Sequence, residues 1–464
     1  MNLLRLTRLK EATRHEDGRM VVYWMQQSQR VKTNHALDHA IRTANAKNVP
    51  LVVLFVLTDG YPEANLRHYA FMAEGLKETK ASLEDMGIPM VVKIGDPVTH
   101  VAAFSRDAGC LVMDEGYVRI QRTWRAAVLD ALKDADHLSV DVVDTDLIVP
   151  VRHASDKQEY GAYTIRPKIR RLYRDFIDHD GTPAYEGPWT EMPSDADLLD
   201  TDALLSKLSL DRSVPRSPMY FGGAQEAEKH LTSFIRTKAD RYDQSNDPSL
   251  DLTSKMSMYL HFGQIAALDI LNAMFEAQAS GLIEDGDAFD GYVEQLLVRR
   301  ELAFNFVWHQ DGYDTFDKMT LPWAYETMDD HAEDQRPYVY DMATLILGKT
   351  HDPYWNSAMD EMRITGYMHN YMRMYWAKKI IEWTPTFEVA YKTILELNNT
   401  YFIDGRDPNS YTGVAWCFGR HDRPWTERAV FGKLRYMNDK GLERKFDIDA
   451  YVRRINAIKE TYGT

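Results

Sequence analysis

VVYW at residues 21–24 and LVVLFVL at residues 51–57 are the short apolar runs that decide the fold of this chain. Three further runs continue the series, namely PMVVKIG at 89–95, LVM at 111–113 and VDVV at 140–143. Because these runs lack polar alternation, they indicate strands buried on both faces. Helical patterns lie between them, at about 30–48, 62–86, 97–107 and 119–135. This alternation predicts an α/β domain with a parallel, doubly wound, Rossmann-like sheet. No GxGxxG motif follows the first strand, so the fold by itself names no ligand.

The chain changes character near residue 180. Two stretches within 180–223, GTPAYEGPWTEMPSDADLLDTD and RSVPRSPMYFGG, are rich in Pro, Gly, Ser and Asp, which is typical of a linker. Beyond residue 224 the apolar residues recur at spacings of three and four, and no convincing strand follows, so this part is predicted to be all-α. We therefore expect an α/β domain at 1–179, an interdomain linker at 180–223 and a helical domain at 224–464.

Composition and charge exclude several classes of protein. Of the 464 residues, 44% are hydrophobic and 27% charged, as in a globular protein and unlike a disordered or fibrous one. The two cysteines, Cys110 and Cys417, can form neither a disulfide framework nor a four-thiolate metal site, and no metal site is predicted. The net charge of −15 argues against a protein that coats nucleic acid through overall charge, so a polyanion would need a local basic patch.

The N-terminal stretch MNLLRLTRLKEATRHEDGR is basic but lacks the apolar core and the cleavage site of a secretory signal. The longest apolar run, at 51–57, is far shorter than the roughly eighteen residues of a membrane helix. A cytoplasmic protein without a membrane span is therefore expected.

Two blocks of the helical half carry groups that suit an anionic ligand. Thr253 to Ser257 form a hydroxyl-rich loop that opens a helix, and such a start presents N–H groups and hydroxyls to a phosphate, although N-capping alone explains these residue types. In EQLLVRRELAFNF at 294–306, Arg299 and Arg300 could meet phosphates while Glu294 or Gln295 hydrogen-bonds a polar ring edge. A solvated charged face with i,i+4 pairs is the simpler explanation of that helix.

Two further blocks are rich in aromatic and turn residues. Trp376 and Trp383 are seven residues apart and share one helix face, and Trp355 precedes them, so the three indoles could form an electron-hopping route or a packing seam. LNNTYFIDGRDPNSYTGVAW at 397–416 contains a tight turn with carboxylate and amide groups, which turn chemistry explains without any function.

Together the blocks resemble the photolyase/cryptochrome superfamily, and within it the class II cyclobutane pyrimidine dimer photolyases. The similar stretches follow the family order along nearly the whole chain: VVYWM at 21–25, EYGAYTIRPKI at 159–169, YLHFGQI at 259–265, RRELAFNF at 299–306, GKTHDPYWN at 348–356, RMYWAKKIIEW at 373–383, IDGRDPN at 403–409, and HDRPW with GKLRYM at 421–437. The resemblance implies a DNA-repair lyase in which light drives an electron from reduced FAD to a flipped-out pyrimidine dimer.

The resemblance also implies the site residues. FAD phosphates would lie on Thr253 to Ser257, Arg373 would pair with Asp404 beside the flavin ring, and Asn398 would face the flavin N5. The implied cofactor-binding set is Tyr242, Thr253, Ser254, Lys255, Met256, Ser257, Arg300, Asn305, Asn370, Arg373, Asn398, Asp404 and Asn409. The implied electron chain consists of Trp383, Trp376 and Trp355.

On the DNA side, the resemblance places Trp416 and either Glu294 or Gln295 against the flipped bases, and Arg435 in the space that they vacate. A flipped dimer needs a stacking surface, hydrogen bonds to its base edges and a plug for the duplex. The implied DNA-contacting set is Arg299, Trp416, Arg420, Arg423, Lys433 and Arg435. Class II members commonly carry two adjacent acids where this chain has Glu294-Gln295, so the residue that contacts the dimer stays open between the two.

Two functions of other classes are weighed against repair. A cryptochrome-like light sensor would keep FAD and the tryptophans but signal through a partner, whereas the DNA-side residues Trp416 and Arg435 favour repair. A plain flavoprotein oxidoreductase lacks support because nothing resembles a nicotinamide site. The α/β domain has room for an antenna chromophore, either an 8-hydroxydeazaflavin or a folate. The expected partner is DNA that contains cyclobutane pyrimidine dimers, and the protein is expected to act as a monomer.

Overall fold

A six-stranded sheet forms the centre of the first half of the chain. The computed structural model describes residues 2–14 and 19–463. The strands are β1 Leu6–Lys10, β2 Val21–Trp24, β3 Leu51–Leu57, β4 Met90–Ile94, β5 Cys110–Asp114 and β6 Ser139–Val143. Their order is β1-β6-β5-β2-β3-β4, and every neighbouring pair is parallel except β1 with β6. The predicted α/β fold with a mainly parallel, doubly wound sheet is thus confirmed.

Strand β1 is the element that the sequence analysis missed. It pairs antiparallel with β6 at the edge of the sheet, and most of its residues are only half-buried. LTRLK has two leucines separated by Thr and Arg and ends in Lys, so it carries no continuous apolar run of the kind that identified the buried strands. The stretch that was tested as a secretory signal therefore contains a sheet strand, and its residues 15–18 lie outside the described part of the chain.

Helices cover both faces of the sheet. Those of the first half are α1 His35–Lys47, α2 Leu66–Asp85, α3 Pro97–Ser105, α4 Arg119–Ala131, α5 Val151–Ala154 and α6 Ala162–Leu172, with 3-10 turns at Leu3–Arg5 and Tyr173–Phe176. The side chains of Asn34, Asn65 and Asp96 accept hydrogen bonds from the first turns of α1, α2 and α3. Helices α1 and α2 therefore begin several residues later than predicted, because a capped helix begins where a side chain satisfies its free N–H groups.

The segment at 180–223, predicted as a linker, packs against the α/β domain. It contains the short helix α7 Thr201–Ser206. Leu198, Leu204, Leu205 and Leu208 are buried in the same apolar cluster as strands β2 and β3. The Pro- and Gly-rich composition correctly indicates little regular structure, but its leucines anchor this connection on the domain surface.

The second half is helical, as predicted. Its helices are α8 Ala224–Thr237, α9 Ser257–His261, α10 Ala267–Ala279, α11 Asp287–Val293, α12 Arg300–His309, α13 Pro322–Asp330, α14 Met342–Ile346, α15 Pro353–Thr365, α16 Asn370–Trp383, α17 Phe387–Tyr401, α18 Pro408–Cys417, α19 Asp439–Lys445 and α20 Ile448–Tyr462. A 3-10 turn at Ala239–Gln244 and a π-helical turn at Glu294–Arg299 interrupt them. Among residues 2–14 and 19–463, no helix combines the length and the apolar character that crossing a bilayer requires.

Buried arginines join the two halves. Arg67 on α2 is 1% exposed, and its guanidinium donates to main-chain carbonyls of the helical half and the preceding segment. These acceptors are the carbonyls of Pro215, Met362, Arg363 and Tyr401, at 2.7–3.1 Å. Because a buried guanidinium is costly unless its donors are satisfied, this contact fixes the two halves relative to each other.

Candidate ligand cavity of the helical half

A cavity of about 530 Å³ lies among the helices of the second half, within the size range of a cofactor site. Many of the residues that the sequence predicted for the site line it: Tyr242, Thr253, Ser254, Lys255, Met256, Ser257, Gln295, Arg299, Arg300, Asn370, Arg373, Trp376, Asn398, Asp404, Asn409, Trp416 and Arg435. They come from separate stretches between residues 242 and 435. The fold therefore brings to one place blocks that the sequence showed only as isolated patterns.

Cationic side chains outnumber carboxylates in the lining of the cavity. Six cationic side chains line it, namely Lys255, Arg299, Arg300, Arg373, Lys378 and Arg435. Three carboxylates line it as well, those of Asp404, Asp407 and Asp422. Carboxylates from outside the lining pair with Lys255, Arg299 and Arg300, so the cavity offers an anionic ligand several cationic donors but no large unpaired charge.

One wall of the cavity is the hydroxyl-rich loop before α9. Lys255 has a positive φ of 62° and a side chain that is only 9% exposed. Its ammonium donates to Asp251 at 2.6 Å and lies 3.7 Å from the ring centroid of Tyr367. Thr253 and Tyr367 share a hydroxyl–hydroxyl hydrogen bond of 2.8 Å. A fixed cation beside two hydroxyls is a suitable environment for phosphate oxygens.

Arg373 and Asp404 form the ion pair expected from the resemblance. Two parallel hydrogen bonds of 3.1 Å join the guanidinium to the carboxylate, and the guanidinium lies 3.8 Å from the ring centroid of Phe402. The side chain of Asp404 is 10% exposed and that of Arg373 24% exposed. Nearby, the amide of Asn398 donates to Asn399 at 3.0 Å while Asn398 itself borders the cavity. The pair is thus rigid and partly open to the cavity.

The π-helical turn at Glu294–Arg299 contains both candidates for contact with the dimer, Glu294 and Gln295, and only one of them lines the cavity. Gln295 and Arg299 line the cavity. Glu294 does not, because its carboxylate accepts two hydrogen bonds from Arg166 at 2.7 and 2.9 Å. Single π turns inside helices commonly occur at functional sites, where the extra residue redirects a side chain. Of the two alternatives left open by the sequence, the geometry supports Gln295.

Helix α12 follows this turn. Two of its residues that were assigned to the cofactor, Arg300 and Asn305, contact the α/β domain. Arg300 borders the cavity, but its guanidinium pairs with the Asp146 carboxylate and carbonyl. Asn305 is fully buried away from the cavity; its side-chain oxygen accepts from the N–H of Glu159 at 2.8 Å, and its amide donates to Lys157 at 3.0 Å. Asn305 therefore contacts the α/β domain and not the cavity. Binding a cofactor and binding another domain both use buried hydrogen-bonding side chains on a helix, so the residue type alone does not distinguish them.

The three tryptophans lie in contact, and Trp355 joins the other two. Trp376 lines the cavity, and its main-chain carbonyl accepts a hydrogen bond of 3.0 Å from the indole N–H of Trp355. The rings of Trp355 and Trp383 are 5.5 Å apart between centroids. Trp383 is only 1% exposed. The connection to the surface continues through Tyr340 and His351, whose ring centroids lie 5.4 and 5.2 Å from that of Trp383.

The residues predicted to contact DNA fall into two groups. Trp416 and Arg435 border the cavity, and the guanidinium of Arg435 lies 4.6 Å from the ring centroid of the exposed Trp425. Arg423 and Lys433 are exposed. Arg420, in contrast, is 4% exposed and its guanidinium packs 4.7 Å from the ring centroid of Phe306, so the structure does not present it to a phosphate.

Tyr367, Lys378 and Asp407 are among the lining residues that sequence reasoning missed. Tyr367 contacts Lys255 and Thr253, as described above. Lys378 is 1% exposed, its ammonium donates to the carbonyl of Cys417, and burial lowers its pKa to about 8. Asp407 caps α18 and accepts from the N–H of Asn409 at 2.7 Å. Spacing along α16 places Lys378 two residues after Trp376, but nothing in the sequence distinguishes a lysine turned inward from one turned to solvent.

A second, smaller cavity of about 120 Å³ lies at the carboxyl ends of β2 and β3. Its lining is mostly apolar and aromatic, including Trp24, Phe55, Tyr61, Tyr69 and Trp124. In open α/β sheets this edge is the usual place for a ligand. The cavity lies in the α/β domain, where the sequence led us to expect room for an antenna chromophore.

Comparison with solved structures shows the fold class to which this arrangement belongs. A class III photolyase from Agrobacterium tumefaciens superposes with a TM-score of 0.74 at 17% identity, covering 96% of this chain and 88% of the other. A cryptochrome from Synechocystis superposes with a TM-score of 0.73 at 13% identity, covering 97% and 91%. The fold is that of photolyases and cryptochromes.

Sequence comparison places the chain more narrowly. A family model described as DNA photolyase matches residues 21–187. A deoxyribodipyrimidine photo-lyase of Methanothermobacter thermautotrophicus is 43% identical over 458 residues, which cover 96% of each chain. One from Arabidopsis thaliana is 38% identical over 451 residues, which cover 94% of this chain and 89% of the other. The chain belongs to the DNA photolyase family.

Proposed function

We propose that the protein is a light-driven DNA-repair lyase that splits cyclobutane pyrimidine dimers with an electron from reduced FAD. The observation that carries this proposal is the cavity lined by cationic and amide side chains, which joins a buried tryptophan chain to an opening bordered by Trp416 and Arg435. The family relatives at 43% and 38% identity are named as deoxyribodipyrimidine photo-lyases. The class II assignment rests on the sequence blocks quoted above and belongs to the same proposal.

The cavity lining suits FAD in its donor groups. Thr253, Ser254, Lys255 and Ser257 would hold the phosphates, and Tyr242 would lie beside them. The indole N–H of Trp376 is buried at the cavity and has no hydrogen-bond partner among the described residues, and the Nε of Arg299 has only an ion-pair contact of 3.4 Å with Glu294. Unsatisfied buried donors are unfavourable, so they mark a place where a polar ligand completes the structure. When bound and reduced, FAD supplies the electron that light transfers to the dimer.

Arg373, Asp404 and Asn398 would orient the redox-active ring. The two parallel bonds between Arg373 and Asp404 fix the guanidinium in one plane, so its charge lies at a defined place in the cavity. The neutral amide of Asn398 can donate or accept a hydrogen bond, which suits an atom that changes protonation state. Asn370 and Asn409 add amide groups to the same lining.

The aromatic chain would deliver electrons that keep the cofactor reduced. Trp376 borders the cavity, and Trp355 touches Trp376 and Trp383. Tyr340 and His351 continue the contacts, and Tyr338, which is 48% exposed, stacks on His351 at 3.8 Å. The proposed route runs from the surface at Tyr338 to the cavity at Trp376.

The opening of the cavity would receive the flipped dimer. Trp416 offers a stacking surface, and Gln295 offers a hydrogen-bonding side chain for a base edge. Arg435 is 37% exposed and would fill the space left in the duplex, while the exposed Arg423 and Lys433 would meet phosphates. The protein would act as a monomer on the genome.

An antenna, either an 8-hydroxydeazaflavin or a folate, would bind at the smaller cavity at the sheet edge, which has to widen because about 120 Å³ is too small for the whole chromophore. Its aromatic lining provides stacking surfaces for a planar chromophore, and Gln26, Gln27 and Gln29 provide amides. Absorption spectra of the purified protein before and after denaturation would identify both chromophores. Repair of an ultraviolet-irradiated oligonucleotide in blue light and in the dark tests the main proposal; FAD binding without repair would instead indicate a light sensor.

A further inference from the structure

Two histidines and an aspartate form a buried cluster that shares no residue with the cavity lining. His35 and Asp38 lie in the first turn of α1, and His179 comes from the segment after the 3-10 turn at Tyr173–Phe176. Each offers a ligand atom, and these atoms all lie within 4.8 Å of one another. Imidazole nitrogen and carboxylate oxygen are established ligands of zinc and related metal ions.

The cluster is buried, and its hydrogen bonds are incomplete. His35 is 3% exposed and Asp38 is 1% exposed. The Nε2 of His179 hydrogen-bonds one carboxylate oxygen of Asp38 at 2.7 Å. The other oxygen of Asp38 and the Nδ1 of His35 have no hydrogen-bond partner among the described residues. A simple His–Asp pair uses neither atom, whereas a metal ion that binds both would remove the cost of leaving them unsatisfied.

We propose that His35, Asp38 and His179 bind one divalent transition-metal ion of the zinc type. Two imidazoles and one carboxylate supply three of the four positions of a tetrahedral zinc ion. The side chain of His179 is 10% exposed, so water can reach the remaining position. The ligand atoms need to approach by less than about 2 Å, since ligands about 2.0–2.2 Å from a tetrahedral ion are themselves about 3.3 Å apart.

The electrostatic surroundings select the kind of ion. The guanidinium charge of Arg5 acts on the His35 ring. This charge and the positive end of the α1 dipole oppose an ion that is held by charge attraction alone. Mg²⁺ and Ca²⁺, which prefer several oxygen ligands, fit a set of two imidazoles and one carboxylate less well than ions that bind imidazole strongly.

A bound ion would fasten the start of the 180–223 segment to the α/β domain. Residues just after His179 already follow α1: Asn45 donates to the carbonyl of Ala184 at 2.8 Å and accepts from the N–H of Glu186 at 2.9 Å. The ion would add a second anchor at the opposite end of the same helix. Because it binds the folded chain only, it would raise the melting temperature.

The test is zinc titration of chelator-treated, dialysed protein, followed by calorimetry and by the melting temperature. The proposal predicts one Zn²⁺ per chain, a higher melting temperature and no comparable response to Mg²⁺. Co²⁺ should give the visible absorption of a tetrahedral site. Asp38→Asn and His179→Gln should each weaken Zn²⁺ binding at least about tenfold, while the control His100→Gln, on α3, should leave it unchanged.

Loss of Zn²⁺ binding in a variant can be distinguished from misfolding of that variant. Circular dichroism of each variant reports whether it is folded, and Asp38→Asn preserves the size of the side chain. Folded wild-type protein that binds no Zn²⁺ would overturn the proposal, and so would equal binding by wild type and both variants. Either result would leave the cluster as a hydrogen-bonded anchor. None of these readouts depends on FAD or DNA.

Discussion

The cavity of the helical half and the seam between the two halves are both rich in buried charged residues, but they use them differently. In the seam, the guanidinium of Arg67 donates to four main-chain carbonyls, and one oxygen of Glu301 accepts from the N–H groups of Ile148 and Val149. At the cavity, the indole N–H of Trp376 has no hydrogen-bond partner among the described residues, and the Nε atoms of Arg299 and Arg435 have only ion-pair contacts of 3.4 and 3.5 Å. The charged groups of the seam thus end on main-chain groups of the protein, whereas those of the cavity border a volume that a ligand can enter.

The largest effect is expected from breaking the ion pair of the cavity. Asp404→Ala leaves the Arg373 guanidinium without its partner, at a cost of about 3 kcal/mol for a pair that is largely buried. We expect the purified variant to lose most of its FAD, as measured by absorption. Asp360→Ala, which breaks the similarly buried pair with Arg363 away from the cavity, serves as the control and should keep FAD. Full FAD occupancy and unchanged melting of Asp404→Ala would contradict the proposed role.

Substitutions in the aromatic chain should stop the supply of electrons to oxidised FAD but leave repair by reduced FAD intact. Trp376→Phe and Trp383→Phe keep much of the packing volume, but phenylalanine is far harder to oxidise than tryptophan. Both variants should bind FAD and repair DNA when reduced beforehand, yet lose photoreduction of oxidised FAD. Trp323→Phe, in the same half but not among the cavity residues, should photoreduce normally. Wild-type photoreduction in both chain variants would make these residues packing groups only.

DNA binding by variants of Arg435 and Lys433 compares a residue at the cavity opening with one on the open surface. Arg435→Ala should weaken binding to a dimer in duplex DNA about tenfold, or about 1.4 kcal/mol, and affect a single-stranded dimer much less, since only a duplex has a space to fill. Lys433→Ala should weaken both substrates equally and reduce the salt dependence by about one charge. Binding titrations across salt concentrations measure both. An equal loss for Arg435→Ala on the two substrates would reduce it to a phosphate contact.

The seam gives the smallest expected effect on activity but a clear dependence of stability on pH. Burial raises the pKa of Glu301 to about 8, above the ordinary value of 4.5 that it regains on unfolding. The folded state therefore binds more protons than the unfolded state between these values, and the contribution of Glu301 to stability is lost as pH rises from about 5 to 8.

Glu301→Gln should remove this loss while keeping an oxygen for the two N–H groups. Denaturant unfolding of both proteins at pH 5 and pH 8 would show a smaller fall for the variant, with repair activity retained. Parallel pH profiles of the two proteins would mean that Glu301 is ionised in the folded state across this range.

The sequence predicted the buried strands well because apolar residues make up most of each one, as at 51–57, where structure and prediction coincide. It missed β1 because LTRLK, at the sheet edge, has only two apolar residues. The cavity residues around Lys255, Arg373 and Asp404 were predicted through family resemblance rather than through spacing. Asn305 and Glu294 were assigned through the same resemblance, and the sequence does not show that Glu294 binds Arg166 or that Asn305 accepts from the N–H of Glu159.

Light-dependent repair of a single defined lesion is the decisive assay. An oligonucleotide that carries one cyclobutane thymine dimer is incubated with the reduced, FAD-loaded protein, in blue light and in the dark, and intact thymines are quantified. We expect repeated turnover in light, none in the dark, and a strong loss with Trp416→Ala, which removes the stacking surface. Absence of light-dependent repair by folded, reduced, FAD-loaded protein would contradict the proposed function.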